Sequence, residues 1–350
     1  MNKIKKYALV IAILGLLTLV LLSGCDELDL NIGGSGGDSQ ILNTPPPSQT
    51  DRDQQSPTGT QPEQDDQSPA TETPAVPVVV VLPEVLIPTA SGVSVEKKGN
   101  AVVDFSNKQD GYIMAKYTEA TSMKIKLLIT GSDGLQYQYG LQPNQDFDVF
   151  PLTSGNGVYE IGIYKQVEDT RYSMVLSVTI DVVLTDEFAP FLRPNQFVDF
   201  DQDSAVVRKA AELTAGIDVF MEKVAAIYNF VITNVVYDEH LAETVQSGYV
   251  PVVDRTMETK KGICFDYASM MAAMLRSQGI PTKLVIGYTG EVLHAWISVY
   301  SEEDGWLDEI IFFDGYTWKL VDPTFAANAS SRSLAQFIGD GSNYAAIWQH

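Results

Sequence analysis

The sequence has few cysteines, few histidines and few basic residues. Only two of its 350 residues are cysteine and three are histidine. Two cysteines are too few for a disulfide framework, and the scattered histidines show no metal-ligand spacing. No loop pattern supports calcium either. The formal net charge is −22, with 23 Lys and Arg against 45 Asp and Glu. No basic stripe that could bind nucleic acid is present, so we expect no nucleic-acid partner. From the histidine spacing and the lack of a calcium loop we also expect no metal, and we expect no cofactor.

The pattern of the N-terminal residues predicts an export signal that ends at a cysteine. A basic segment, residues 3–6, precedes an apolar run over 7–22 that is short for a membrane span. The following LSGC resembles the bacterial lipobox, which predicts a lipoprotein signal peptide over 1–24 and diacylglycerol on Cys25. The alternative is an ordinary cleavage site beside an incidental cysteine. Lipidation predicts an extracytoplasmic protein anchored to the bacterial cytoplasmic membrane at the cell surface.

Composition and periodicity divide the rest of the chain. Residues 25–77 are acidic and rich in Pro, Ser and Gln, and they predict a disordered tether. Apolar residues alternate with polar ones over 93–185, with turn signals between the runs, which predicts a small β-sandwich, immunoglobulin-like in type. A Pro-containing hinge of exposed polar residues is expected at 186–203. Helical periodicity begins in 204–350, the predicted catalytic domain, with strands near its end, which gives an α+β layout.

One helix in that domain carries the unpaired thiol. The stretch KKGICFDYASMMAAMLRSQGIP predicts a helix that begins at Cys264, presents one apolar face and ends before Gly279. A cysteine in the first turn of a helix is expected to ionise easily, and a neighbouring imidazolium lowers its pKa further, from about 8.5 toward 4 in papain-type pairs. A buried structural thiol is the alternative. An exported protein rarely keeps an unused free cysteine, however, because its compartment is oxidising.

Two later residues complete a nucleophile–base–carboxylate set. His294 lies in a predicted strand, LHAWISVY, and would act as the base, although a core histidine is the alternative. Asp322 directly follows another predicted strand and would orient the imidazole. Asp304 and Asp314 each adjoin a glycine and fit turns better. If the two strands are antiparallel neighbours, both side chains could lie on one face. Asp266, two residues after the cysteine, is interpreted as an N-terminal cap.

Taken in order, GxC with Ala four positions later, then GIP, HAW and DPT resemble the core of the transglutaminase-like superfamily, bacterial branch, over roughly residues 220–325. The resemblance implies a papain-like fold, with the nucleophile helix packed on an antiparallel sheet. By this resemblance, Cys264, His294 and Asp322 occupy the positions of the family's catalytic residues. It also suggests that Tyr237 helps to form the oxyanion site, with simple packing against the helix as an equal alternative.

The chemistry implied is acyl transfer through a cysteine thioester on a peptide or carboxamide, from protein or cell-wall peptide. Hydrolysis by a peptidase or amidase is favoured. Crosslinking to an amine is the second alternative, and a non-catalytic surface scaffold is the third. A wet cleft would favour water as the acceptor, whereas aromatic walls would favour an amine. The long insert at 301–317 is expected to add a strand or flap near the cleft.

Overall fold

The first folded part consists of two antiparallel four-stranded sheets. The computed structural model describes residues 80–144, 146–289, 292–313, 318–320 and 344–350. One sheet has the order β1-β2-β3-β6 and the other β5-β4-β7-β8. The strands are β1 (Val95–Lys98), β2 (Ala101–Asp104), β3 (Tyr112–Tyr117), β4 (Ile125–Thr130), β5 (Gln136–Leu141), β6 (Asp148–Pro151), β7 (Gly157–Glu168) and β8 (Arg171–Val182).

The two sheets face each other through the apolar side chains that the alternation predicted. In β4, Ile125, Leu127 and Ile129 are buried while the residues between them are half-buried. The ring of Tyr139 on β5 meets that of Phe150 on β6 edge to face, with centroids 4.9 Å apart. The strand orders are consistent with an immunoglobulin-like sandwich. In the strand names of that fold, β2-β3-β6 would correspond to A-B-E and β5-β4-β7-β8 to C′-C-F-G. The boundaries of this domain stay a prediction.

The segment 186–203 differs from the exposed hinge that was expected. Phe191, Phe197 and Phe200 are buried in it. The Phe197 ring lies 5.3 Å from Tyr139 of the sandwich and 5.3 Å from Phe265 beyond the segment. The expectation of exposure was wrong because the segment's aromatic residues fill the space between the sandwich and the helices, although its prolines and polar residues suggested solvent.

Five α-helices follow within the described residues, and the second buries an apolar stripe. Val224, Ile227 and Val231 are buried on it. Ser204 precedes the first helix, but its hydroxyl donates to Asp201 and does not cap the helix. Two short helices lie within 238–261. The helices are α1 (Ala205–Thr214), α2 (Phe220–Asn234), α3 (Glu239–Thr244), α4 (Val253–Thr259) and α5 (Cys264–Ser277).

Helix α5 is the centre of this part of the molecule. It begins at Cys264, as predicted, and ends in a Schellman motif: Gly279 (φ +73°) donates to Arg276, and Ile280 donates to Leu275. The single apolar face predicted from the sequence was too narrow, since all 14 residues are buried. Even the guanidinium of Arg276 is enclosed, and it donates to the carbonyls of Thr282, Arg193 and His350.

Helix α5 packs on a five-stranded antiparallel sheet of order β14-β13-β12-β11-β15. The predicted strand that contains His294 is confirmed with slightly wider bounds. The insert adds a strand, as expected, and this strand lies inside the sheet. The sheet contains β11 (Thr282–Thr289), β12 (Val292–Ser301), β13 (Gly305–Phe313), β14 (Trp318–Leu320) and β15 (Tyr344–Gln349). A separate parallel pair, β9 (Val236–Tyr237) and β10 (Lys261–Gly262), lies before the helix.

None of the helices in the described part of the chain has the length and apolar character needed to span a membrane. The predicted signal peptide, Cys25 and the tether fall in residues 1–79, outside the described residues.

Candidate active site

The thiol of Cys264 is held at the point where α5 meets the sheet. Cys264 is the first residue of the helix and is 5% exposed. Backbone N–H groups of Ala295 and Phe265 face its sulfur as hydrogen-bond donors. Ala295 lies on β12 directly after His294, so the first turn of the helix and the histidine strand meet at the sulfur. The structure therefore brings Cys264 and the His294 segment together, as the sequence motifs predicted.

The ionisation of this thiol differs from the sequence prediction. Burial raises the pKa of Cys264 to about 11, and the charge of Asp266 acts in the same direction. The facing N–H groups lower the pKa, but burial outweighs them because it removes water from the charged form. The prediction of an easily ionised thiol was wrong for this conformation, in which the sulfur is protonated at neutral pH.

His294 is buried in the middle of β12, opposite Gly287 on β11. Burial lowers the pKa of its imidazole to about 4, so the ring is neutral at neutral pH. The indole of Trp296 is stacked beside it, with ring centroids 6.4 Å apart and an interplanar angle of 27°. The neutral imidazole is the form that accepts a proton, but the same burial weakens it as a base in this conformation.

Tyr237 reaches the same region through the short parallel pair. It pairs with Gly262, two residues before Cys264. Burial, and then the negative charge of an ionised Cys264, raise the pKa of Tyr237 to about 12, so the phenol keeps its proton. Its ring also lies 6.5 Å from that of Tyr267 on α5. Tyr237 therefore packs on the helix and lies within electrostatic range of the thiol. Its part in the oxyanion site stays a prediction.

Asp266 caps the helix, as predicted. Its Oδ2 accepts from the backbone N–H of Ile263 at 2.8 Å, and its Oδ1 accepts from the Tyr249 hydroxyl at 2.6 Å. A Cβ at Gly262 would lie 2.5 Å from the Asp266 Cβ, so a glycine is needed there. The carboxylate thus fixes both the start of α5 and the loop that carries Tyr249.

Residues 207–323 match the family model of the Transglutaminase-like superfamily. This part of the chain is a transglutaminase-like domain. It contains Cys264, His294 and Tyr237, together with the helix and strands that position them.

Two curated relatives match about a quarter of the chain. A protein-glutamine gamma-glutamyltransferase of Pseudomonas aeruginosa is 32% identical over 111 residues, covering 27% of this chain and 15% of the relative. The uncharacterized protein YebA of Bacillus subtilis is 32% identical over 117 residues, covering 28% and 16%. The chain therefore spans less than a fifth of the length of these relatives.

Two solved structures are more distant. One is a protein from Cytophaga hutchinsonii that carries the provisional name of cysteine protease; it has a TM-score of 0.34 and 19% identity, and the match covers 68% of this chain and 83% of that one. The other is the transglutaminase of red sea bream, with a TM-score of 0.24 and 13% identity, covering 61% and 48%.

Asp322 lies in the transglutaminase-like domain but outside the described residues. The strand before it, β14, pairs with β13, and β13 pairs with β12. Strand β13 therefore lies between β12, which carries His294, and β14, which precedes Asp322. The two strands are not neighbours, although the sequence argument for placing both side chains on one face assumed that they were. The insert supplied β13, and its position in the sheet could not be read from its length. The pairing of Asp322 with His294 stays a prediction.

Two contributors to the site were missed by sequence reasoning. No local sequence pattern marks Tyr249 as the partner of Asp266. Ala295 acts through its backbone N–H, which its side chain does not reveal, although its place directly after the histidine was a usable signal. Within the described residues no group of three or more His, Cys, Asp or Glu could hold a metal ion. The absence of a cofactor stays a prediction.

Proposed function

We propose that the protein is a thiol enzyme that transfers acyl groups through a thioester on Cys264, with hydrolysis of a peptide or carboxamide as its main reaction. One observation carries the proposal: the helix-initial thiol meets the strand of His294, with the Ala295 N–H at the sulfur. The match of residues 207–323 to the transglutaminase-like family supports a cysteine-based enzyme.

The protonation states suggest how the reaction begins. Because the thiol and the imidazole are both neutral at rest, His294 takes the proton from Sγ as the sulfur attacks the carbonyl carbon. The developing oxyanion accepts from the backbone N–H of Cys264 and from the Tyr237 hydroxyl. The C–N bond then breaks, and His294 returns the proton to the leaving amine or ammonia. Asp322 would orient the imidazole and stabilise its charged form.

Water then resolves the thioester in the same way, with His294 as the base. Hydrolysis needs only the thiol and imidazole, whereas transfer to an amine also needs a site for the acceptor. A specific observation nevertheless favours amine transfer as the second candidate. Trp296 is 3% exposed and stacked on His294, so it is an aromatic wall of the kind that excludes water. The relative named as a gamma-glutamyltransferase points the same way.

The acceptor can be identified with the full chain, a panel of glutamine-containing peptides and a dansyl-labelled primary amine. We expect ammonia or peptide release with the wild type and at least a ~1,000-fold loss in Cys264→Ala and His294→Ala, because removal of either triad member leaves only binding and oxyanion contributions. His240→Ala, an exposed helical histidine, is the matched control and should keep full activity. Stable incorporation of the dansyl group would identify an amine transferase.

The non-catalytic alternative makes a different prediction for the same panel. A binding scaffold would release neither ammonia nor peptide, and acid-quenched mass spectra would contain no acyl adduct on Cys264. An adduct that is present in the wild type and absent in Cys264→Ala would exclude it.

We also propose that Cys25 carries a lipid anchor that holds the enzyme at the cell surface. The support is the basic segment, the apolar run and the LSGC sequence. Cells fed an alkyne fatty acid should label the wild type, and Cys25→Ser should lose the label and shift the protein to the soluble fraction. Retention of label in Cys25→Ser would contradict the proposal.

A further inference from the structure

A groove of about 380 Å³ lies between the sandwich and the transglutaminase-like domain. Its lining comes from residues 121–126 and 138–143 of the sandwich, from 247–250, and from Phe197 and Phe265. Parts of the chain that are distant in sequence build this groove together.

The charge of the lining is opposite to that of the protein. It contains two lysines, Lys124 and Lys126, and no Asp or Glu. The whole chain has 45 acidic against 23 basic residues. Lys124 is exposed, and the half-buried Lys126 holds its Nζ 4.4 Å from the centroid of the Tyr172 ring. The other lining groups include hydroxyls and amides that can donate hydrogen bonds, so the groove favours an anionic ligand on an otherwise acidic surface.

The groove is also close to the nucleophile. Phe265, in its lining, directly follows Cys264 along the chain. Tyr249 is also in the lining, and it donates its hydroxyl to Asp266, which caps the same helix. A ligand in the groove therefore touches the first turn of α5 and the loop fixed to it. This position suits a part of the substrate close to the carbonyl that reacts.

We infer that the groove is a substrate subsite for an acidic stretch of peptide, whose carboxylates face Lys124 and Lys126 while the reacting amide reaches Cys264. The inference rests on the proposed function and assigns its substrate class. It also gives the sandwich a role in specificity, since both lysines belong to that part of the chain.

The test measures binding separately from catalysis. The full chain with Cys264→Ala, which cannot form a thioester, is titrated into a fluorescein-labelled nonapeptide with a central glutamine flanked by glutamates. A second peptide has glutamine in place of every glutamate. We expect fluorescence anisotropy to show about tenfold tighter binding of the acidic peptide in 0.15 M salt. This factor corresponds to about 1.4 kcal/mol, which two ion pairs near the surface can supply together.

Substitutions then locate the site. Lys124→Gln with Lys126→Gln should remove the preference, whereas the exposed pair Lys97→Gln with Lys98→Gln on β1 should leave it intact. Gly140→Asp adds a negative charge to the lining where a Cβ meets no atom within 4 Å, and it should weaken the acidic peptide about tenfold without disturbing the fold.

Three outcomes would overturn the inference. The two peptides could bind equally, or the preference could survive both groove variants. Alternatively, Asp65→Asn with Asp66→Asn could raise the affinity about tenfold, which would make the chain's own acidic segment the occupant. Turnover by the wild type is measured separately, so a preference without turnover would contradict the proposed function and reduce the groove to a binding site for acidic peptide.

Discussion

At the scale of single residues, the main feature is a neutral thiol beside a neutral imidazole. Burial lowers the pKa of His294 to about 4, so the base is lost only as the pH falls through about 4. We therefore expect the acidic limb of kcat/KM near pH 4 and not near 6.5. Burial also raises the pKa of Cys264 to about 11, so iodoacetamide should alkylate the resting enzyme with a midpoint above that of free cysteine.

The contrary result would be an alkylation midpoint below about 8.5, together with an acidic limb near neutral pH. That pattern would indicate a thiolate–imidazolium pair at rest. Circular dichroism across the same pH range separates loss of the base from loss of the fold. Cys264→Ala controls for alkylation at other groups.

Tyr237 gives a second test at this scale. Its phenol keeps its proton because its pKa is raised to about 12, so it can donate to an oxyanion. Tyr237→Phe should lower kcat about 10- to 100-fold with little change in KM, somewhat less than loss of a main oxyanion donor. Tyr267→Phe is the matched control: its hydroxyl donates to the Val235 carbonyl, so it should cost about 1 kcal/mol of stability but leave kcat intact. Equal kcat for both variants would assign Tyr237 to packing alone.

At the scale of elements, the close contact of β11 with its two neighbours depends on Gly287. A Cβ there would lie 2.1 Å from the Ala345 carbonyl oxygen on β15 and 2.8 Å from the Trp296 ring on β12. Gly287→Ala should lower the free energy of unfolding by about 1–3 kcal/mol through overpacking. It should also lower kcat, because Trp296 stacks on His294.

The control for this prediction is Gly140→Ala on β5, where the added Cβ meets nothing within 4 Å. The free energies of unfolding of the two variants, measured with urea, should differ by at least ~1 kcal/mol. A similar stability for both would mean that β15 moves away from β11 at no cost.

The same elements show how far local sequence patterns can predict a structure. The start of α5, its end at Gly279 and the extent of β11 and β12 follow from capping and periodicity, which are local. The position of β13 between β12 and β14 depends on pairing between segments, which the sequence of the insert does not encode. The thiol pKa was predicted wrongly for a related reason: the helix N-terminus is a local effect, whereas burial of Cys264 depends on the whole fold.

At the scale of the whole molecule, His350 joins the sandwich to the five-stranded sheet. Its Nδ1 and the Tyr139 hydroxyl are 3.0 Å apart, and its ring meets Phe197 edge to face, with centroids 4.8 Å apart. Its backbone exchanges two 2.8 Å hydrogen bonds with Leu284. The aromatic contacts and the imidazole bond therefore hold strand β15 against the predicted sandwich, next to the groove.

This connection makes stability depend on pH. Burial, and then the charge of Arg276, lower the pKa of His350 to about 3, below the usual value of about 6.5. The unfolded chain therefore binds a proton that the folded chain does not, and stability is full above pH 6.5 and falls as the pH drops. The loss should approach 1.4 kcal/mol per pH unit for each such histidine. Because the pKa of His294 is lowered in the same way, the two histidines together should cost about 3 kcal/mol of stability between pH 6.5 and 5.

Urea unfolding at pH 7.5, 6.5, 5.75 and 5 measures this slope above the range in which most carboxylates titrate. His350→Gln removes one titrating group and should roughly halve the slope between pH 6.5 and 5, whatever it costs at pH 7.5. Tyr139→Phe is the matched control, because it removes the hydrogen bond but keeps the buried imidazole; the slope should persist while stability falls by about 1 kcal/mol at every pH. An unchanged slope in His350→Gln would mean that the imidazole takes up its proton inside the fold, and that water reaches the junction between the two sheets.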